Sequence, residues 1–194
     1  MRLLLENKMI LWRCLDNVFN DKELTNIVQI CDEMPLQKAT VGANNTKRVD
    51  ESIRNSNVCF MENNVVTSGI YERIIKAANY TNNSTFKYLL DGHEKFQYTT
   101  YDDTYNGHFT WHMDIKLDNS LEKVRKLSFT LLLNDSFEGG DFEILTSSET
   151  KAFKLPAKKG RILFFPSFII HRVTPITKGQ RKSIAGWFYG PPFK

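Results

Sequence analysis

Gly107-His-Phe-Thr-Trp-His-Met-Asp-Ile115 is the stretch that decides how this 194-residue chain is read. His112 and Asp114 stand at i and i+2, and in a β-strand that spacing puts two side chains on one face. A second imidazole from a later strand, His171, would complete three ligands on one side of a divalent metal. Two histidines and a carboxylate in such a facial set, with open positions opposite, form the coordination pattern of non-heme Fe(II) oxygenases. Zinc accepts the same ligand types, but a catalytic zinc site adds a general base and needs no distant cation. Arg181 is such a cation, able to hold a dicarboxylate co-substrate beside the metal. Iron with an organic co-substrate thus accounts for more of these residues than zinc does.

The strand that carries Arg181 gives the second clue. Arg181, Ser183 and Trp187 lie at even offsets, so they share one face, while Lys182, Ile184 and Phe188 face the other way. An arginine turned into a β-sandwich or barrel is costly without an anion to pair with, and a bound carboxylate supplies a reason for it. His93 and His108, the remaining histidines, read as surface or loop residues.

Outward from these residues the chain divides by periodicity. Asn20 or Asp21 caps a helix with Leu24, Ile27, Val28 and Cys31 on one stripe, ended by Pro35. Residues 38–50 are polar and Asn-rich, as in an exposed loop. Val58–Met61 reads as a short strand, and Val66, Ile70, Ile74 and Ala77 mark the buried side of a second helix. From Lys95 the pattern turns extended: Phe96–Tyr101, Leu127–Leu133, Phe142–Leu145 after the Glu138-Gly-Gly-Asp141 turn, Arg161–Phe165 and Ser183–Tyr189. Short strands following two helices predict a β-barrel or double-sheet jelly roll braced by helices.

Composition narrows the partners. A net charge of +4 permits an acidic partner without demanding one, and Lys151, Lys154, Lys158, Lys159 and Arg161 read as a solvated hairpin edge. The broad basic, aromatic-lined surface that nucleic acids favour is not evident, so no nucleic-acid partner is expected. Cys14, Cys31 and Cys59 are odd in number and unpatterned, as expected of reduced thiols. The Leu run in Met1–Glu6 is too short for a signal peptide, and no stretch approaches the ~20 apolar residues of a membrane span. A cytoplasmic protein without membrane partners is the expectation.

The order of segments also resembles a known family. Glu94-Lys-Phe-Gln-Tyr-Thr-Thr-Tyr101, Gly107-His-Phe109 and His112-Met-Asp114 resemble the start of the catalytic core of prolyl-4-hydroxylase-type 2-oxoglutarate/Fe(II) dioxygenases. Leu131-Leu-Leu-Asn134, Glu138-Gly-Gly140 and Gly160-Arg-Ile-Leu-Phe-Phe-Pro166 continue the resemblance in order. His171-Arg-Val-Thr-Pro175 and Gly179-Gln-Arg-Lys-Ser183 end it, in a form most similar to the bacterial PKHD-type hydroxylases.

The resemblance implies an α+β fold: a double-stranded β-helix (jelly-roll, cupin-like) core braced by N-terminal helices. It implies one domain over 1–194, with helical support over about 1–93 and the catalytic core over about 94–190. It makes His112, Asp114 and His171 iron ligands and assigns Arg181 to the distal carboxylate of 2-oxoglutarate. Tyr101, Ser128 and Ser183 fall at co-substrate positions, and Trp187 falls on the substrate side of the metal. Leu132 stands where several relatives place a tyrosine, and residues 102–107 lengthen the turn before the metal pair. The implied activity resembles procollagen-proline 4-dioxygenase: hydroxylation of a prolyl C–H in a protein or peptide, consuming O2 and releasing succinate and CO2, with ascorbate as a stimulant. A free amino acid or other small molecule is the alternative substrate, and a non-catalytic module that binds iron and 2-oxoglutarate is the alternative class.

Overall fold

The computed structural model describes residues 11–42, 46–115, 122–145 and 152–193. In chain order the elements begin with β1 (Arg13–Leu15), α1 (Asp21–Asp32), β2 (Gln37–Lys38), β3 (Arg54–Asn55), β4 (Asn57–Phe60) and α2 (Ser68–Thr81). They continue with β5 (Gly92–His93), β6 (Gln97–Asp102), β7 (His108–His112), β8 (Val124–Leu132), β9 (Phe137–Gly139) and β10 (Phe142–Leu145). The last are β11 (Ala152–Lys154), β12 (Ile162–Pro166), β13 (His171–Val173) and β14 (Ile176–Gly190).

These strands form two sheets. The larger runs β1-β12-β8-β14-β6-β4-β2, with β5 and β9 also paired to β14; the smaller runs β11-β10-β13-β7-β3. This is the two-layered jelly roll expected, and two helices cover the outer face of the larger sheet.

The helices form for local reasons. Asn20 accepts from the Glu23 amide at 2.9 Å, and the Glu23 carboxylate accepts from the Asn20 amide at 2.8 Å. This capping box satisfies two orphan donors at the start of α1, a term of about 1 kcal/mol. Leu24, Ile27 and Cys31 then face inward. In α2 the inward residues are Ile70, Ile74 and Ala77, joined by Tyr71, Ala78 and Thr81. Val66 does not join them: α2 starts two residues later, and Val66 is exposed in the preceding turn.

Period-two alternation in the larger sheet sorts its side chains. Leu127, Phe129 and Leu131 of β8, Ile162 and Phe164 of β12, and Ile184 and Phe188 of β14 pack with the buried residues of both helices in one core. Gly186 is required there, because a Cβ would lie 2.6 Å from Phe129 and 2.7 Å from Phe96. The opposite face of the same strands looks between the sheets, and the candidate site lies on it.

The N-terminal third is less helical than its sequence pattern predicts. Residues 13–60 contribute four strands, each of two to four residues. Such strands carry too few residues to show a period, and edge pairing decides them. The basic run is ion-paired: Lys154 meets Asp141, Lys158 and Arg161 meet Asp16, and Lys159 meets Asp21. Lys151 and the Met1–Glu6 run lie outside the described residues. Cys14, Cys31 and Cys59 are free thiols. Among the described residues no helix is long and apolar enough to cross a membrane.

Candidate active site

His112, Asp114 and His171 converge at the mouth between the two sheets, with one ligand atom from each lying within 4.8 Å of the others. His112 Nε2 stands 3.9 Å from Asp114 Oδ1, and His171 Nε2 stands 3.7 Å from Asp114 Oδ2. The convergence is achieved differently from the simple strand alternation that i, i+2 spacing predicts. β7 ends at His112, and Asp114 lies beyond it, held by the backbone: the amides of Asp114 and Ile115 both donate to Ser167 O at 3.0 Å.

A bulge in β7 does the rest. His112 pairs with His171 and Phe109 with Val173, so three steps on β7 match two on β13. The extra residue puts both Phe109 and His112 on the inner face, as a β-bulge beside a site characteristically does. The Phe109 ring stacks on the His112 imidazole with centroids 3.5 Å apart.

Both imidazoles are fixed in the same way. His112 Nδ1 is 2.8 Å from Thr110 O, and His171 Nδ1 is 2.8 Å from Ile169 O. A carbonyl accepts only from a protonated Nδ1, so in the neutral form of each ring Nε2 is the free nitrogen turned to the centre, the form a metal takes. Burial, followed by the neighbouring His171, holds the His112 imidazole well below its ordinary range, against the pull of Asp114. Burial would raise the Asp114 carboxyl, but His171, His112, the Ser128 hydroxyl and Arg125 outweigh it and hold it low. A buried carboxylate between two neutral Nε2 atoms is a donor set that a divalent cation completes, so the residues fit the metal.

The cavity these residues open into, about 60 Å³, continues to Arg181. Its floor is a polar patch on the larger sheet. Arg181 pairs with Tyr101, Ser183 with Thr99 and Ala185 with Gln97 across β14 and β6, and all six line the cavity. Arg181 is 4% exposed and donates to Ser183 Oγ at 2.9 Å, with the Tyr101 ring centroid 5.7 Å from its guanidinium carbon. Burial pulls the guanidinium below its ordinary value, opposed by Tyr101 and Asp141. Among the described residues no carboxylate forms an ion pair with it. Gly140 (φ +62) clears its flank, since a Cβ there would meet Ile176 at 2.3 Å and Arg181 at 3.1 Å.

Trp187 lines the cavity on the predicted face, and the Arg125 guanidinium covers its ring at 3.9 Å. Ser128 takes a different place from the one the resemblance implies. Its hydroxyl is 2.9 Å from the Oγ of Ser167, the residue whose carbonyl accepts from the Asp114 amide, and it does not line the cavity. Leu132 is buried and also stays out of the lining. His108 is a loop-anchoring residue, with Nδ1 2.8 Å from Asn106 O. His93 is half-buried in β5 and packs among Tyr71, Phe96 and Phe188 at 5.3–5.9 Å.

Sequence reasoning missed Gln97, Thr99, Thr130 and Arg54 in the cavity wall. Polar residues at 97 and 99, in step with Tyr101, were a legible signal for the first two. The 102–107 segment forms a short 3-10 turn pinned at both ends. Asp102 accepts from Thr104 and Gln180, and Asp103 accepts from the Gly179 amide at 2.7 Å.

Comparison with known proteins agrees with this geometry. Residues 96–189 match the model of the 2OG-Fe(II) oxygenase superfamily. A PKHD-type hydroxylase of Hyphomonas neptunium is 48% identical over 63 residues, covering 31% of this chain and 27% of that relative. One from Synechococcus sp. (strain CC9605) is 42% identical over 82 residues, covering 41% of this chain and 35% of the relative. The matches thus span about a third of those relatives' lengths. In fold the chain is similar to a Pseudomonas putida prolyl-4-hydroxylase, with a TM-score of 0.71 at 18% identity and 91% of each chain covered. It is also similar to a Trichoplax adhaerens prolyl hydroxylase solved with a hypoxia inducible factor peptide fragment, with a TM-score of 0.73 at 17% identity, covering 92% of this chain and 83% of the other. The β core of this chain, residues 96–189, is thus similar in sequence to the 2OG-Fe(II) oxygenase superfamily and, over part of its length, to PKHD-type hydroxylases.

Proposed function

We propose that this protein, as one domain over 1–194, is an Fe(II)- and 2-oxoglutarate-dependent dioxygenase that hydroxylates a prolyl C–H in a protein or peptide. The observation that carries the reading is a three-donor centre sharing one cavity with a buried arginine that has no carboxylate partner among the described residues. When bound, iron and 2-oxoglutarate supply the oxidising chemistry that converts O2, the co-substrate and a C–H bond into succinate, CO2 and an alcohol.

The chain's own residues do the positioning. His112, Asp114 and His171 would hold the metal and leave its remaining positions toward the cavity. Arg181, with Ser183 beside it, would take the distal carboxylate of 2-oxoglutarate in a charge-assisted pair, and Tyr101 would border the same end. Ser167, met by the Ser128 hydroxyl, fixes the Asp114 backbone through its carbonyl. Phe109, Phe142 and Phe165 exclude water from the metal side. Met113 and Ile170, the chain neighbours of the ligands, are exposed and offer apolar contact to an extended peptide. The peptide bound by the Trichoplax neighbour supports the same choice of substrate.

The test is succinate release from 2-oxoglutarate by anaerobically reconstituted Fe(II) protein on admission of O2, with and without proline-containing peptides. The expected result is peptide-stimulated release with one oxygen gained in the peptide mass. Turnover that only free amino acids stimulate would replace the substrate and keep the oxygenase. Iron and 2-oxoglutarate binding without turnover under any condition would sink the enzymatic reading.

A further inference from the structure

Four arginines surround the centre, and their partners divide them. Arg125 makes a two-pronged pair with Glu94 at 2.5 Å and lies over Trp187. Arg172 pairs with Glu143 at 2.7 Å and covers the Trp111 ring at 4.4 Å. Both have their counter-ions within the chain. Arg181 has none among the described residues, and 2-oxoglutarate accounts for it. Arg54, the fourth, lines the same cavity and likewise has no carboxylate among the described residues.

The surroundings of Arg54 define what it lacks. Its Nε donates to Ser56 Oγ at 3.0 Å, and its guanidinium carbon stands 4.6 Å over the Phe109 ring. Its two terminal nitrogens have no acceptor among the described residues. Phe109 is stacked in turn on His112, so one aromatic ring separates the guanidinium from a metal-binding imidazole. Among the described residues β3 is the last strand of the smaller sheet in this direction, so no further strand pairs with it on the Arg54 side. Formal charge points the same way. A divalent metal and Arg181 are balanced by Asp114 and the two carboxylates of 2-oxoglutarate, and Arg54 is left over as a partly buried cation.

We infer that Arg54 is the anion-recognition residue of the substrate subsite, and that the substrate carries a carboxylate close to the carbon that is hydroxylated. The inference rests on the oxygenase reading above and narrows its substrate. Two sources present this chemistry: an acidic side chain next to the reacting prolyl residue, and the α-carboxylate of a free amino acid. A planar carboxylate suits the paired terminal nitrogens of a guanidinium held flat over a ring.

The experiment compares matched probes. Peptides with Asp or Glu beside a proline are set against the same peptides with Asn or Gln, and free L-amino acids against their carboxamides. Stimulated succinate release is read for each pair in wild type, Arg54→Gln and Arg54→Lys. A second arm reads affinity by calorimetry on zinc-loaded protein with 2-oxoglutarate, where no turnover occurs. Wild type should prefer the carboxylate member about tenfold or more in both arms, as a charge-assisted hydrogen bond requires. Arg54→Gln should bring the ratio close to one, and Arg54→Lys should retain part of it. Because the ratio is taken within each variant, a general loss of activity or folding cancels.

Preference for acidic peptides identifies the side-chain source, and preference for free acids identifies the α-carboxylate. Equal use of acid and amide by wild type, or a preference that survives in Arg54→Gln, overturns the assignment while leaving the oxygenase intact. Absence of 2-oxoglutarate consumption with every probe removes the oxygenase reading instead, and the calorimetric arm then decides Arg54 alone.

Discussion

On β14, Ile184 and Phe188 look toward the helices while Arg181, Ser183 and Trp187 look into the cavity, so one strand borders two environments. The helix side is packed from within the chain: its aromatics meet each other, as Phe96 meets Phe129 at 4.9 Å, and the start of α1 is capped by Asn20. The cavity side is incomplete. Its histidines turn bare Nε2 atoms on a carboxylate, and its two unpaired arginines point at nothing the described chain supplies. Stability is therefore written on the closed face and function on the open one. Substitutions on the two faces should separate the two properties.

The widest separation is expected between Asp114 and Phe164. Asp114→Ala removes the carboxylate that the described residues place at the metal centre, so iron binding and iron-dependent 2-oxoglutarate turnover should fall to background. The thermal midpoint of the metal-free protein should stay near wild type, since no core packing is lost. Wild-type succinate release from this variant would end the ligand assignment. Phe164→Ala should do the reverse. Phe164 is fully buried among the helix-side aromatics, and its truncation costs about 3–5 kcal/mol, readable as a lower midpoint in chemical denaturation. A loss below about 1 kcal/mol would mean that the closed face repacks more freely than its dense aromatic contacts indicate.

Arg181 sharpens the contrast because one change should move the two properties in opposite directions. Arg181→Met removes a buried cation that lacks a counter-ion among the described residues and keeps most of its apolar volume. The 2-oxoglutarate-free protein should melt higher, as replacement of uncompensated buried charge by a hydrophobe commonly stabilises. Affinity for 2-oxoglutarate should weaken by roughly 1.5–3 kcal/mol with the loss of the charge-assisted pair. Calorimetric titration and a thermal melt on the same sample check both. Unchanged affinity would show that the co-substrate carboxylate binds elsewhere.

How far each face could be read from sequence follows from the same distinction. α1 was legible because its cap, stripe and stop are local, and the two faces of β14 were legible because alternation is local too. The length of β14 was not: it runs from Ile176 because β9 pairs with its first half, a contact no short window contains. The metal triad was legible in identity but not in geometry. The bulge in β7 and the anchoring of Asp114 by Ser167 both depend on neighbouring segments. Ser128 reads as a co-substrate contact by resemblance, yet in register between Phe165 and Trp187 its hydroxyl meets Ser167. Arg54 left no trace at all, because a two-residue edge strand carries no pattern.

Arg161 offers the smallest test, as the counterpart of Arg181 whose carboxylate does belong to the chain. It grips Asp16 with two hydrogen bonds of 2.8 Å, tying the end of β1 to the start of β12, and Lys158 adds a third contact at 3.3 Å. The Arg161 hydrogen bonds hold the Asp16 carboxyl down at about 2, from an ordinary value of 3.8. A carboxyl depressed in the folded state stabilises above its unfolded value, and that contribution disappears as pH falls through the folded value. The pair should therefore be fully stabilising above pH ~4 and lost by about pH 2. Asp16 is partly open to solvent, so the whole effect should stay below about 1 kcal/mol. In thermal melts across that window, Asp16→Asn should flatten the decline in stability with acid while leaving 2-oxoglutarate affinity at neutral pH unchanged. An identical decline in variant and wild type would show that this edge is held by the backbone pairing of β1 with β12 alone. An internally paired arginine would then contribute as little to the fold as the unpaired Arg181 is expected to, and the partner's origin would cease to distinguish the two faces.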